Sequence, residues 1–223
     1  MNYSLDFSFI TRYGDLYLTG TRNTILLALL AVLIGVVLGL GLALMRRSRF
    51  RLIKFVAAAY IEFVRGTPLL VQLFIIFYGL PVITGMRFPD FVAGVIALSL
   101  NSAAYVAEII RAGLQSVDRG QMEAARSLGM THRTAMRHII IPQAFKNILP
   151  ALGNEFIVVI KESAIVSVIG IYEIMRSANI VRGITYRPFE PLIVAALIYF
   201  VLTFTLSNLL GIAERRMRAS DSH

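Results

Sequence analysis

The sequence predicts an all-α integral membrane protein with five transmembrane helices. Its N-terminus is expected outside and its C-terminus in the cytoplasm, with a short cytoplasmic helix between the third and fourth spans. Three observations carry this. Of 223 residues, 57% are hydrophobic and only 16% charged, too apolar for an ordinary soluble domain. The run Ile25–Met45 is uninterrupted and apolar, and as a helix it covers about 30 Å, one hydrocarbon core. Lysine and arginine are distributed unevenly about the apolar segments. The five-span arrangement puts 46–54, 111–138 and 214–223 on one side with 13 of them, against 6 in 1–22, 84–90 and 176–189. The richer side is the cytoplasmic one by the positive-inside rule.

The elements follow in chain order. Residues 1–20 read as a polar and aromatic lead-in, and Thr21–Met45 as the first span. A cleaved signal peptide would start earlier, run shorter and end at small residues. The further apolar segments exclude both that reading and a lone buried helix. Arg46–Lys54 holds five cations and no anion. The second apolar region, Phe55–Ile83, is interrupted by Arg65–Pro68, where Gly66 and Pro68 are expected to break the helix. Its part beyond the break is apolar enough for lipid or a protein core. The third span covers about Phe91–Ile110, and a polar stretch, Arg111–His138, follows.

The fourth span begins near Ile139 and runs to Gly170. It carries Pro142, Pro150, Gly153, Asn154, Glu155, Lys161 and Glu162. Proline and glycine suggest a broken or kinked helix, a form that lines transport pathways. Charges at membrane depth need a partner or a wet cavity; alternatively, Lys161 and Glu162 lie at an interface and set helix depth. The fifth span is Pro191–Ala213, followed by a charged tail. The length fits one domain, residues 1–223.

Some chemistry is excluded. Without cysteine there is no disulfide, thiolate nucleophile or sulfur-bound metal. His132, His138 and His223 have no metal-ligand spacing, so no metal site is expected, and no residue is assigned a catalytic role. The formal charge of +9 reports orientation here, not nucleic-acid binding. Gly35, Gly39 and Gly41 are expected to allow close helix packing. Glu62 with Arg65, and Glu108 with Arg111, are spaced for ion pairs on one helix face.

The polar stretch between spans three and four is the most specific signal. Gln121–Leu128 is a good helix former, Gly129 a stop and Thr131 a cap for the next helix. Ala124, Ala125 and Leu128 form a small apolar face. By physics alone this is either a docking element or a helix lying on the bilayer.

The words "EAARSLGM" and "IIIP" in this stretch resemble the signature loop of importer-type ABC permeases, matched at Glu123, Ala124, Ala125, Gly129 and Pro142. Glu62–Pro81, Ser99–Gln121, Leu149–Gly170 and the closing "ERRM" are similar to the polar-amino-acid permeases within that family, glutamine, histidine and arginine types among them. The likeness runs from about Gly20 to Met217. It implies a multi-pass subunit of the bacterial inner membrane, with 121–129 as the coupling helix. Gln121, Glu123, Ala124, Ala125, Leu128 and Gly129 would then meet the ATPase. Its implied partners are two ATP-binding cassette subunits, a second permease (identical or related), an extracytoplasmic amino-acid-binding protein and the lipid bilayer. ATP is used by the partner, since the chain has no G-x-x-x-x-G-K-[ST] loop and binds no cofactor itself.

Glu155 and Glu162, seven apart, lie near one helix face. Asn101, Ser102 and Tyr105 sit in the third span. With Asn154, these residues are expected to line a substrate pathway. Glutamine, asparagine and serine occur at the position of Glu155 elsewhere in the family, so this residue is expected to carry substrate information. A buried carboxylate suits an α-amino group or a guanidinium, which favours arginine, lysine or histidine as solute. Glutamine and cystine stay open, as does a structural Glu155–Lys161 pair. Outside this class stand an ion-driven secondary transporter, which lacks visible inverted repeats, and a non-transporting scaffold.

Overall fold

A computed structural model of the chain describes residues 4–219. His223 and the end of the tail fall outside them. Every element among the described residues is helical.

Helix α1, Phe9–Arg46, is 38 residues long, about 57 Å. It begins well before the apolar run, so most of the expected lead-in is helix. The reason is an aromatic stripe at helical spacing: Phe9, Tyr13 and Tyr17 pack with Ile174, Ala178, Val181 and Ala195. Tyr17 also donates to the Pro191 carbonyl at 3.0 Å. The N-terminus is clasped by Arg187, 2.9 Å from Asp6 and 2.8 Å from the buried Glu190. The Ser8 amide and hydroxyl, aided by Arg187, hold the Asp6 carboxyl below its usual range.

Helix α2, Arg51–Gly66, ends at a Thr67–Pro68 turn. Thr67 is extended, as a residue before proline prefers. The chain resumes as α3, Leu69–Phe74, passes a π turn at Ile75–Gly79 and ends in α4, Leu80–Thr84. The two parts meet at 112°, so Arg65–Pro68 does break this region.

Helix α5, Asp90–Gln115, is the centre of the bundle. It lies against α1 because Gly35 and Gly39 carry no side chain. A Cβ on Gly39 would sit 2.8 Å from the Ala103 carbonyl oxygen, and one on Gly35 3.0 Å from Ser102. Gly41 faces open space and takes no part. Leu27, Ala28, Ala31, Leu98, Val159 and Ile160 fill the core beside this contact.

After α6, Arg119–Ser127, and the short α7, His132–Ala135, a π turn at Met136–Ile140 leads into α8, Ile141–Glu162. Of the two forms expected, a break is absent: α8 is continuous through Pro150. Pro142 sits at its start, where no amide partner is lost. The irregularity comes at its ends instead: the π turn before it, and a 3-10 segment, Ser163–Ile169, after it, closed by Gly170 at φ 89°. Helix α9, Ile174–Thr185, is capped by the buried Glu173, which accepts from the Met175 and Arg176 amides and from Tyr199. Helix α10, Glu190–Ala219, completes the chain.

By length and apolarity α1, α5 and α10 can cross a membrane, with the bent α2–α4 region a fourth candidate. Helix α8 falls short of that measure because Lys146, Asn147, Asn154, Glu155, Lys161 and Glu162 interrupt its apolar residues.

Candidate functional site

Two regions hold the candidate residues. The first lies between α5 and α8. Glu155 is 7% exposed, and its Oε1 accepts from the fully buried Ser102 hydroxyl at 2.8 Å. Among the described residues no lysine or arginine pairs with it, so the Glu155–Lys161 pair is not formed. One position along α5, Asn101 points to a different partner. Its Nδ2 donates to Gln72 Oε1 at 2.9 Å. The Gln72 amide in turn donates to the Val64 carbonyl at 2.7 Å, the Thr67 carbonyl at 3.0 Å and Thr67 Oγ1 at 2.9 Å. Gln72 thus spans the 112° bend and ends at Asn101.

The six expected pathway residues are therefore divided. Ser102 and Glu155 meet, while Asn101, the residue before Ser102 on α5, is turned to Gln72. Glu162 is half-buried, about two turns further along α8. Asn154 is exposed. Tyr105 is 36% exposed, its ring 5.9 Å from the Arg65 guanidinium. Sequence reasoning missed Gln72; its signal was a lone amide in an apolar stretch just after a helix break.

The ion pairs are regrouped as well. Glu108 does pair with Arg111, but among the described residues Glu62 does not pair with Arg65. Glu108 instead collects three guanidiniums: Arg111, Arg46 at 3.0 Å and Arg65 at 4.0 Å. One carboxylate thereby joins α1, α2 and α5.

The second region is α6. Asp118 caps it by accepting from the Gly120 amide at 2.7 Å. Gly129, at φ 81°, ends it. Its amide donates to the Arg126 carbonyl and that of Met130 to Ala125, the paired bonds of a Schellman stop. Thr131 caps α7 through the Thr134 amide. The N-terminal side of α6 is tied to α8: Gln143 donates to Gln121 at 3.3 Å, and Asn147 to Ser116, just before the helix, at 2.8 Å. Ala125 is buried against the body and does not join the outer face expected of it. Gln121, Ala124 and Leu128 share the outward stripe, Glu123 is exposed beside it, and Leu128 is 84% exposed.

Residues 23–219 match the family described as binding-protein-dependent transport system inner membrane component. The chain belongs to that family. It is 45% identical over 218 residues to the arginine transport system permease protein ArtQ of Bacillus subtilis, covering 98% of this chain and all of ArtQ. It is also 45% identical over 201 residues to the putative glutamine transport system permease protein GlnP of Rickettsia bellii, covering 90% of this chain and 92% of that one. A crystal structure of an amino acid ABC transporter with histidines contains a chain 59% identical. The two superpose with a TM-score of 0.92 over 96% of this chain and 100% of that one.

The chain is thus an inner-membrane permease subunit of an amino acid ABC importer. The ion-driven transporter and the scaffold are set aside. Among the described residues no group of three histidine, aspartate or glutamate side chains could hold a metal.

Proposed function

We propose that this permease forms the translocation pathway for a basic L-amino acid, with Glu155 receiving the solute's cation. One observation carries the proposal: Glu155 is buried, steadied by Ser102 and paired with no protein cation among the described residues. A carboxylate in that position keeps lone pairs for a guanidinium or ammonium donor. Asn101, the residue before Ser102 on α5, is assigned the solute's other polar groups.

In this reading five spans cross the membrane, with α8 as the wet-facing fourth, N-terminus outside and C-terminus inside. Two permease subunits enclose the pathway. An extracytoplasmic binding protein delivers the amino acid, and two ATP-binding cassette subunits engage Gln121–Gly129 of each permease. ATP binding draws those subunits together and pulls on α6. The pathway then changes the side it faces, a shift between two states in which this chain makes and breaks no covalent bond.

The test is the ATPase rate of the reconstituted complex with arginine, lysine, histidine, glutamine or cystine. Stimulation by the basic solutes is expected. Glu155→Gln keeps an acceptor for Ser102 but loses the charge, and should raise the apparent KM for them about 30-fold or more. Stimulation by glutamine or cystine alone, unchanged in that variant, overturns the basic substrate. Glutamine is the second reading, favoured by the neutral Asn101–Gln72 amide pair, one residue from Ser102 on α5.

A further inference from the structure

The apolar run of α1 stops at Met45, and Arg46 and Arg47 follow it, so this end of the helix marks the edge of the hydrocarbon. A cleft of about 440 Å³ opens there between α1, α2 and α5. Four cations line it, Arg46, Arg47, Lys54 and Arg111, with Gln115 and no carboxylate. Glu108, close by, is already shared by Arg46, Arg65 and Arg111. Arg47 and Lys54 have no anionic partner among the described residues. The cleft therefore keeps an excess of positive charge.

A second, apolar groove of about 350 Å³ adjoins it. The two share Ala43, Arg47, Ile110 and Leu114 as walls. Beyond them the groove is lined by Val36, Leu40, Leu44, Phe145, Ile148 and Leu152. Leu40 and Leu44 belong to the membrane-spanning run of α1 and are 48% and 63% exposed.

We propose that this composite site holds one anionic phospholipid, its phosphate among Arg47, Lys54, Arg46 and Arg111 and an acyl chain in the groove. A cationic cleft at the inner headgroup level, opening into an apolar channel that runs toward the bilayer, matches both parts of such a lipid. A free phosphate uses only the first part, and an acidic segment of the ATPase has no use for the second. The site rests on the reading of this end as the cytoplasmic face; amino-acid transport itself is measured separately, by stimulated ATPase.

The test is native mass spectrometry of the permease–ATPase complex, exchanged into detergent with phosphatidylglycerol, cardiolipin or phosphatidylcholine. Arg47→Gln and Lys54→Gln are the variants, because neither side chain supports the Glu108 cluster. The expected result is retention of the anionic lipids over phosphatidylcholine. Affinity should fall about fivefold per neutralised cation and about 25-fold in the double variant. Arg133→Gln, away from the cleft, should change nothing. Equal retention of phosphatidylcholine, or undiminished retention in the double variant, overturns the proposal. So does equal competition by water-soluble glycerol phosphate, which needs the headgroup cleft alone, or loss of the lipid when the ATPase docks.

Discussion

Glu155 has few ways to be satisfied where it lies. Ser102 supplies one donor, and burial keeps most of the carboxylate from water. An unpaired buried carboxylate is costly, so the site favours whatever cation reaches it. Two substitutions separate holding from recognition. Glu155→Gln removes the charge and should affect solute KM far more than thermal stability. Ser102→Ala removes only the steadying donor, and should raise KM about five- to tenfold. Equal effects of both on melting temperature, with KM unmoved, would make the pair structural. The Glu155–Ser102 contact was legible as a grouping, since both residues are polar in apolar spans. The Asn101–Gln72 bond was not, because it depends on the turn at Pro68 and no periodicity encodes that angle.

Helix α6 is capped at both ends, by Asp118 and Gly129, which fits the coupling role proposed for it. Gly129→Ala places a side chain on a backbone at φ 81°, a strain of roughly 1 kcal/mol. The ATPase subunit should then bind several-fold more weakly, and stimulated hydrolysis should fall. Unchanged affinity, measured by titrating the ATPase onto the detergent-solubilised permease, would detach α6 from docking. The stop and the Thr131 cap were readable from residue type, because each conformation has its preferred residue. The burial of Ala125 was not, since it depends on α6 lying across the start of α8. A break in α8, one of the two forms expected, is absent for a related reason. Pro150 removes one amide donor, but packing against α5 and α10 keeps the helix whole, as neighbouring helices commonly do in membranes.

At the scale of the whole molecule, the sequence showed an all-helical membrane chain because apolar runs and charge asymmetry are long-range signals. The number of crossings is less visible: α8 is too polar to declare itself, and its role depends on what faces it. The absence of native cysteine makes orientation easy to test. In intact cells a membrane-impermeant maleimide should label Met86→Cys and spare Ser127→Cys; the opposite pattern overturns the assigned sidedness. The bend between α2 and α3 has one more implication. Its splint is the Gln72 side chain, whose nitrogen fastens Val64 and Thr67 while its oxygen holds Asn101. Anything that competes for Asn101 must pull on that same amide. On the proposed pathway, a solute that took the Asn101 hydrogen bond would therefore loosen that hinge, and occupancy would become a change in the angle of the pathway's wall.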